Sequence, residues 1–232
     1  MLFRSGHTAD RVIAVPQFIP RKMPNNAQKI TEQLVMSDER VHPVVQYLDS
    51  RMLNIYDCDF YWSDEGGFID RMIIPLTVNK QIMGYIARKI TDGKPKYITE
   101  HPAHIVFNLD RQTHERPFVI VCEGTMDAIS IDGCAVLGSQ IREKQDWLLK
   151  RLNKEIILVP DRDHEGLKTV DQAIEYGWSV SMPEWPKGIK DVNDAIVKIG
   201  RLATLWLIIE SKQNYSLKIQ LRAKQFFKEV EL

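Results

Sequence analysis

The chain has 232 residues, of which 44% are hydrophobic and 27% are charged, and its 31 basic and 31 acidic residues cancel. This composition is typical of a soluble globular protein with one large domain or two small ones. A net charge of zero excludes a general attraction to nucleic acid, so any binding of that kind needs a local basic patch.

Cysteine usage and hydropathy narrow the class of protein further. The cysteines are Cys58, Cys122 and Cys134, and without a CxxC pair they argue against a disulfide framework and a cysteine-rich zinc module. The sequence has no apolar run of bilayer length and no signal-peptide core at its N-terminus. We therefore expect a cytoplasmic protein with no membrane partner.

The N-terminal part is predicted to contain an arm, a helix and a hairpin. Residues 1–36 are expected to form an arm or linker, because the prolines within VPQFIPRKMPNN block a long helix. A helix then begins at Ser37 or Asp38. Its apolar face is formed by Val44, Val45, Leu48 and Met52. Two β-rich runs flank residues 79–81, which predicts a hairpin within a mixed α+β subdomain over residues 37–116.

Strand and helix patterns alternate four times over residues 117–200. The strands are FVIVCEG, CAVLG, EIILVPDRD and WSVSMP, and the helices are TMDAISIDG, REKQDWLLKRLN, HEGLKTVDQAIEYG and DVNDAIVKIG. Such alternation predicts an α/β domain, a mostly parallel sheet flanked by helices with right-handed connections. Thr125 is expected to cap the first helix, and Gly133 and Gly177 to end the first and third. A C-terminal helical segment over residues 201–232 follows. Its apolar face comprises Ile219, Ala223, Phe226 and Val230.

Acidic residues follow three of these strands. Glu123 follows the first strand, and Asp161 with Asp163 follows the third. The set after the fourth strand comprises Asp191, Asn193 and Asp194. Because ligands of such sheets sit at the carboxyl ends of the strands, we expect these side chains to gather at one edge. Crowded carboxylates repel one another unless a cation intervenes, and oxygen ligands favour Mg²⁺ or Mn²⁺.

Helix capping is the alternative explanation for several of these residues. Asp163 could cap the helix that follows it, and Asp191 with Asp194 matches a capping arrangement. Asp127, in the first turn of a helix, suits the helix dipole. Taken singly, each such residue is more often structural. Acidic groups after three separate strands are hard to obtain by capping alone, so the joint pattern favours a reaction site.

The segments CEGTMDAIS, VPDRDHEG and KDVNDAI resemble, in this order, the TOPRIM domain of bacterial-type primases, topoisomerases and small nucleases. The resemblance implies that Glu123 is a general acid or base, or a metal ligand. It implies that Asp161 and Asp163 are catalytic and bind the divalent ion, with Asp191 as a further metal ligand. Possible additional site positions are Asp127, Asn193 and Asp194. Asn193 stands where bacterial primases often carry an aspartate.

Upstream segments narrow the resemblance to primases. VVQYLDSRML resembles the YLxxRGL helix of bacterial and phage primases, with Met52 in place of the glycine. RMIIPLTVNKQIMGYIARKITDGKPKYIT resembles the primase hairpin followed by Gly-x-x-Arg and Pro-Lys-Tyr. Over residues 38–200 the chain therefore resembles a primase catalytic core, most like the phage versions. This implies a TOPRIM-like sheet preceded by a smaller α+β subdomain.

Basic residues gather in the segment before the acidic sheet. They are Arg71, Arg88, Lys89, Lys94 and Lys96. In the resembled primases this region lines a groove for template and initiating nucleotides, which implies phosphate contacts by these side chains and base stacking by Tyr97. A solvated hairpin with scattered charges is the alternative. His101 and His104 have a spacing seen in zinc sites, but the lack of nearby cysteines disfavours zinc.

The function implied by the resemblance is synthesis of short RNA primers on single-stranded DNA from ribonucleoside triphosphates, by metal-dependent nucleotidyl transfer. Primases of this type usually carry a zinc module and a helicase or helicase-binding part. Neither is visible here, so we expect a helicase and a zinc-bearing template-recognition module in cis or in trans. The alternatives are a TOPRIM nuclease and a non-catalytic nucleic-acid-binding module. The latter is disfavoured because an acidic cluster without metal repels phosphates.

Overall fold

The computed structural model describes residues 14–112 and 115–228, which fold into two five-stranded sheets with helices around them. The first sheet is antiparallel, in the order β1-β2-β3-β4-β5. The elements of this half are β1 (Gln28–Lys29), α1 (Glu32–Ser37), α2 (His42–Ser50), β2 (Tyr61–Trp62), β3 (Arg71–Val78), β4 (Gln81–Lys89) and β5 (Tyr97–Glu100). Within the described residues, no helix is both long and apolar enough to cross a membrane.

The predicted hairpin is confirmed as β3 and β4. Its turn residues Asn79 and Lys80 have φ values of 52° and 63°. Two consecutive positive φ angles are what a tight two-residue turn between twisted strands requires. The strands pair from Arg71 opposite Lys89 to Val78 opposite Gln81.

The predicted helix after residue 37 forms, but it is shorter than expected. Asp38 caps a 3₁₀ turn by accepting from the Arg40 N–H, and α2 follows. Its residues Val44 and Leu48 are buried as predicted. The placement of Met52 on the apolar face is wrong, because α2 ends at Ser50 and Met52 follows in a turn at φ 55°, 64% exposed.

The N-terminal subdomain reaches further upstream than residue 37. β1 pairs with β2, and Ile30, which follows it, is buried in the core of the first sheet. Residues 28–30 therefore contribute a strand and a core side chain to the sheet. The proposed boundary between arm and subdomain moves toward the N-terminus accordingly.

The second half has the predicted α/β organisation. Its elements are β6 (Phe118–Cys122), α3 (Thr125–Ile131), β7 (Cys134–Ala135), α4 (Glu143–Lys150), β8 (Glu155–Leu158), α5 (His164–Tyr176), β9 (Ser179–Ser181), α6 (Val192–Ile199), α7 (Arg201–Ser211), β10 (Lys212–Gln213) and α8 (Ser216–Phe226). The sheet order is β10-β9-β8-β6-β7. All pairs are parallel except β10 with β9, so the mostly parallel sheet is confirmed.

Several helix ends test the sequence predictions directly. Gly177 ends α5 in the left-handed region, as predicted. The N-cap assignment of Thr125 is wrong, because Gly124 is the cap and Thr125 is the first helical residue. Asp132 ends α3 in the left-handed region, directly before Gly133. The apolar face of the last helix is confirmed at Ile219, Ala223 and Phe226, whereas Val230 lies outside the described residues.

α3 ties the two halves of the molecule together. Its residues Met126 and Ile129 belong to the core of the first sheet, while Ile131 belongs to the core of the second. Burying an apolar side chain of this size stabilises the fold by about 1.5–3 kcal/mol. The N-terminus of α3, directly after β6, is therefore held at the junction of the two sheets.

Candidate active site

Glu123 is fixed at the end of β6. It is 8% exposed. Its Oε1 accepts from the Asp161 backbone N–H at 3.4 Å, and Thr169 Oγ1 on α5 lies 3.3 Å away. Burial, and then the negative charge of Asp163, raise the pKa of Glu123 to about 7. Neighbouring elements therefore hold the Glu123 carboxylate in one position after the buried strand.

Asp161 lies between β8 and α5, beside Glu123. Burial and the charges of Glu123 and Asp191 raise its pKa to about 8. Gly166 in the first turn of α5 packs directly against this segment, because a Cβ there would stand 2.0 Å from the Asp161 carbonyl oxygen. The backbone at Asp161 is therefore set by close packing against a glycine.

Asp163 caps a helix and also influences its acidic neighbours electrostatically. It is the N-cap of α5, and its Oδ1 accepts from the N–H groups of Glu165 and Gly166, each at 2.9 Å. The capping interpretation is confirmed. Its charge also raises the pKa of Glu123 and of Asp161, so Asp163 belongs electrostatically to the same cluster.

Asp127 and Asp191 form the second half of the acidic edge. Asp127 lies in the first turn of α3, and its Oδ1 accepts from the Asn193 N–H at 2.9 Å. Asp191 caps α6 by accepting from the Asp194 N–H at 2.7 Å, as the capping alternative predicted. Burial is the largest cause of the raised pKa of both carboxyl groups, and the Asp191 charge adds to the shift of Asp127. We call Glu123, Asp127, Asp161, Asp163, Asp191 and Asp194 the acidic edge, and its members Asp127, Asp191 and Asp194 the second half of that edge.

Asn193 is a structural link within this edge. It is 2% exposed. Its Nδ2 donates to the Arg51 carbonyl at 2.9 Å and to Ser130 Oγ at 2.7 Å, and its Oδ1 accepts from Arg51 Nη1 at 3.3 Å. The amide is thus occupied by protein contacts on both its oxygen and its nitrogen. Asp194 makes an ion pair with the same guanidinium at 3.4 Å.

The donor chemistry of the acidic edge fits a hard divalent ion. Glu123 and Asp161 place carboxylate oxygens at the same edge, and burial followed by the charges of neighbouring carboxylates raises the pKa of both. Among the described residues, no three His, Cys, Asp or Glu side chains converge into a ready-made cage. Mg²⁺ is commonly held by one or two carboxylates, with water and substrate phosphates completing its shell. A two-carboxylate site agrees with both observations.

A cationic and aromatic surface lies before the acidic edge in the sequence. The Arg88 guanidinium is 5.5 Å from the ring centre of Tyr47 and 5.4 Å from that of Tyr97, and it also donates to the Tyr97 hydroxyl. Lys96 Nζ lies 5.6 Å from the Tyr97 ring centre. Lys94, Lys96 and Tyr97 are exposed and Arg88 is half-buried. We call Arg88, Lys94, Lys96, Tyr97 and Tyr47 the basic surface.

Arg71 does not belong to the basic surface. It is 3% exposed. Its guanidinium donates to the backbone carbonyls of Gly67, Ala87, Pro95 and Lys96. The expected phosphate contact by Arg71 is therefore corrected. The residue holds the 95–96 turn against the sheet, which positions Lys96 and Tyr97 beside it.

A cavity of about 330 Å³ connects the two surfaces. Tyr97 and His101 line it from the first sheet, and Glu123, Asp161 and Ser139 line it from the second. His101 thus faces the cavity. The imidazole of His104 instead packs against Phe18, with ring centres 5.1 Å apart.

Sequence reasoning missed three contributors to this site. Arg51, Tyr47 and Thr169 belong to or touch the acidic edge or the basic surface, yet none of them was predicted from the sequence as a site residue. Arg51 and Tyr47 belong to the YLDSR segment, whose match to the primase helix pointed to the region but not to these contacts. Thr169 lies one and a half turns into α5, on its buried side.

The second half of the chain is similar to a known protein family. Residues 120–196 match the family model described as Toprim-like. Two curated relatives, both named DNA primase, are each 29% identical, one from Staphylococcus epidermidis over 170 residues and one from Campylobacter jejuni over 132 residues. These matches cover 65% and 50% of this chain but 28% and 21% of the relatives, so the matched region spans about a quarter of their length.

Solved structures share the fold of most of this chain. A DnaG primase catalytic domain bound to single-stranded DNA matches with a TM-score of 0.67 and 16% identity, covering 82% of this chain and 77% of that one. The E. coli primase catalytic core matches with a TM-score of 0.62 and 18% identity, and the match covers 77% of this chain and 76% of that one. The zinc-binding and RNA polymerase domains of Aquifex aeolicus primase match with a TM-score of 0.54 and 21% identity. This match covers 88% of this chain and 57% of that one. The chain therefore has the fold of primase catalytic cores, with a TOPRIM-like domain, as predicted.

Proposed function

We propose that this chain is a DNA primase catalytic core, which joins ribonucleotides into short RNA primers on a single-stranded DNA template. The observation that carries the proposal is the shared cavity. Glu123 and Asp161 line one side and Tyr97 of the basic surface lines the other. A metal-binding edge and a nucleic-acid-binding surface thus face the same space. The names of the sequence relatives support this assignment.

The divalent ion, Mg²⁺ or Mn²⁺, is held by Glu123 and Asp161 in this proposal. Such an ion neutralises the charge that develops on the transferred phosphate. Asp163 and Asp191 add negative charge that attracts the ion, and Asp163 keeps a second carboxylate oxygen beyond the one that caps α5. The raised pKa values of Glu123 and Asp161 mean that part of the cluster carries protons near neutral pH, and ion binding releases them.

The basic surface holds the nucleic acid and the incoming nucleotide. Within the described part of the chain, Arg88, Lys94 and Lys96 form no ion pair with a carboxylate, so their charges are available to phosphates. Tyr97 is 41% exposed and offers a ring face for base stacking. Packing against Tyr47 and Tyr97 fixes the direction of the Arg88 guanidinium.

The partners and the setting of the reaction belong to the same proposal. A DnaG catalytic domain has been solved with single-stranded DNA, and an Aquifex aeolicus primase with a zinc-binding domain beside its polymerase domain. By analogy, we assign this chain a zinc-bearing template-recognition module and a helicase as partners, in cis or in trans, with ribonucleoside triphosphates as substrates. Replication then places it in the cytoplasm of a bacterium or of a phage-infected cell.

The test is the length of the product. The protein is incubated with single-stranded DNA, ribonucleoside triphosphates and either Mn²⁺ or Mg²⁺, with and without a preformed RNA primer. Primase activity gives lengthened RNA, and extension of the primer exceeds initiation because it bypasses site selection. Tethering a template-binding module should then restore initiation by raising the local template concentration. Shortened DNA would instead identify a TOPRIM nuclease, and unchanged DNA and RNA a non-catalytic binding module.

A further inference from the structure

The second half of the acidic edge contains a cation supplied by the first subdomain. Arg51 follows α2, and its Nη1 lies 3.3 Å from Asn193 Oδ1 and 3.4 Å from Asp194 Oδ1. The guanidinium is also 5.7 Å from the ring centre of Tyr47, and its positive charge is close enough to Asp191 for the two to interact. It is therefore held from several sides in one place.

Asn193 is arranged to hold this cation. Its Nδ2 donates to the backbone carbonyl of Arg51 and to Ser130 Oγ, at 2.9 and 2.7 Å. With both nitrogen-bound protons used in this way, the amide oxygen is turned toward the Arg51 guanidinium. An aspartate at this position could not donate either bond. The amide thus fixes both the backbone and the side chain of Arg51.

The two halves of the acidic edge therefore differ in electrostatics. The charged groups that act on Asp161 are the carboxylates of Glu123, Asp191, Asp163 and Asp194. Around Asp194 a guanidinium is already in contact with the carboxylate. A divalent ion approaching Asp191 and Asp194 would meet a fixed positive charge and an amide whose oxygen is already engaged.

We propose that Arg51 takes the place of a second divalent ion, so that this chain binds one such ion, at Glu123 and Asp161, and none between Asp191 and Asp194. The inference rests on the metal dependence of the proposed function. It also gives a role to the asparagine at position 193, which supplies hydrogen-bond donors for Arg51 where an aspartate would supply a ligand for an ion. A purely structural latch between the subdomains is the competing explanation for the same contacts.

The experiment counts bound Mn²⁺ by following the free-ion electron paramagnetic resonance signal during titration of the full chain. The wild-type protein should bind one ion. Arg51→Gln removes the positive charge, and this variant should bind a second Mn²⁺ ion. Its affinity for that second ion should be at least about tenfold higher than the affinity of the wild-type protein for a second ion. Arg51→Lys keeps the charge and should bind one. Asp161→Asn should bind none.

Each outcome decides between the explanations. Two ions bound by the wild type would overturn the inference without any variant. One ion bound by both the wild type and a folded Arg51→Gln protein, with circular dichroism as the check of folding, would identify Arg51 as a latch. If Arg51→Gln does not fold, Arg51→Met, which keeps the aliphatic stem, replaces it in the same comparison. If the wild-type protein binds no Mn²⁺, both the metal site of the proposed function and this inference are wrong.

Discussion

The acidic edge and the basic surface face one cavity but are built in different ways. The carboxylates of Asp163 and Asp191 cap helices, and those of Glu123 and Asp127 accept backbone N–H bonds. These residues of the acidic edge are thus tied to the backbone of α5 and α6 and of the segment between β8 and α5. The basic surface is instead held by side-chain contacts between cations and aromatic rings, on residues that are exposed or half-buried.

This difference indicates which property each region supplies. Catalytic groups must be held close to their productive geometry, and backbone hydrogen bonds provide that precision. A surface that binds nucleic acid of any sequence needs charge and ring faces, and exposed side chains can adjust to successive nucleotides. Substitutions should therefore act abruptly in the acidic edge and gradually on the basic surface.

The largest expected effect comes from Asp161→Asn. Removing one carboxylate of the two-carboxylate site should lower nucleotide incorporation by about a thousandfold or more, a loss of the size seen when a group that stabilises transition-state charge is removed. At a pH above the Asp161 pKa of about 8, the melting temperature without metal should not fall, because a like charge is removed from the cluster. Incorporation assays and thermal melts measure the two effects. A large loss of stability without metal would mean that Asp161 serves the fold instead.

Asp163→Asn is the matched control for this experiment. Asparagine caps helices about as well as aspartate, so the bonds to Glu165 and Gly166 should survive while the charge is lost. If Asp163 binds the ion, Mn²⁺ affinity should drop at an unchanged melting temperature. Asp163→Ala should in addition lose about 1 kcal/mol of stability with the cap. Unaltered Mn²⁺ affinity in Asp163→Asn would restrict this residue to capping.

The second expected effect is on the backbone of the acidic edge. Gly166→Ala would place a methyl group 2.0 Å from the Asp161 carbonyl oxygen, so α5 or the Asp161 segment must shift. Overpacking of this kind costs about 1–3 kcal/mol or more, and activity should fall with it. Gly67→Ala is the control, since its Cβ would meet its nearest neighbour at 4.0 Å. Equal melting temperatures for the two variants would show that the close approach has no consequence.

Part of the fold and of the acidic edge could be predicted from the sequence. Alternating strand and helix patterns predicted the sheet and placed Glu123 and Asp161 at its edge, because strand polarity alone brings those ends together. The failures depend on tertiary contacts. Arg71 looked like a phosphate ligand because its charge is visible in the sequence, whereas its four carbonyl partners are not. Arg51 was missed because its partners, Asn193 and Asp194, are more than 140 residues away.

The third expected effect is on the salt dependence of DNA binding. Arg88→Ala and Lys96→Ala should each reduce the salt slope for single-stranded DNA by about 0.7, the value for one lost phosphate contact. Lys218→Ala on α8 is the control with the same charge change at a position outside the basic surface. Fluorescence anisotropy at several salt concentrations measures the slopes. If both variants have the same slope as the parent, Arg88 and Lys96 are only solvated side chains and do not contact phosphates.

The smallest expected effect is the pH dependence of stability without metal. The pKa values of Glu123 and Asp161, about 7 and about 8, lie above their usual 4.5 and 3.8. Between about pH 5 and about pH 8 the folded protein therefore holds protons that the unfolded chain has released, so its stability falls as the pH rises. We expect the melting temperature to drop over this range, and to drop by less with Mn²⁺. A melting temperature that rises over this range would contradict the crowded-carboxylate description.

The assignment of the acidic edge as the site of nucleotidyl transfer is tested by incorporation of a ribonucleotide labelled on its α-phosphate into an RNA primer annealed to single-stranded DNA. The wild-type protein is compared with Asp161→Asn and Lys96→Ala as Mn²⁺ is titrated. We predict Mn²⁺-dependent incorporation by the wild type, at least about a thousandfold less by Asp161→Asn, and incorporation by Lys96→Ala that recovers at high DNA concentration. Incorporation by Asp161→Asn at the wild-type rate would contradict the assignment of the acidic edge as the site of nucleotidyl transfer.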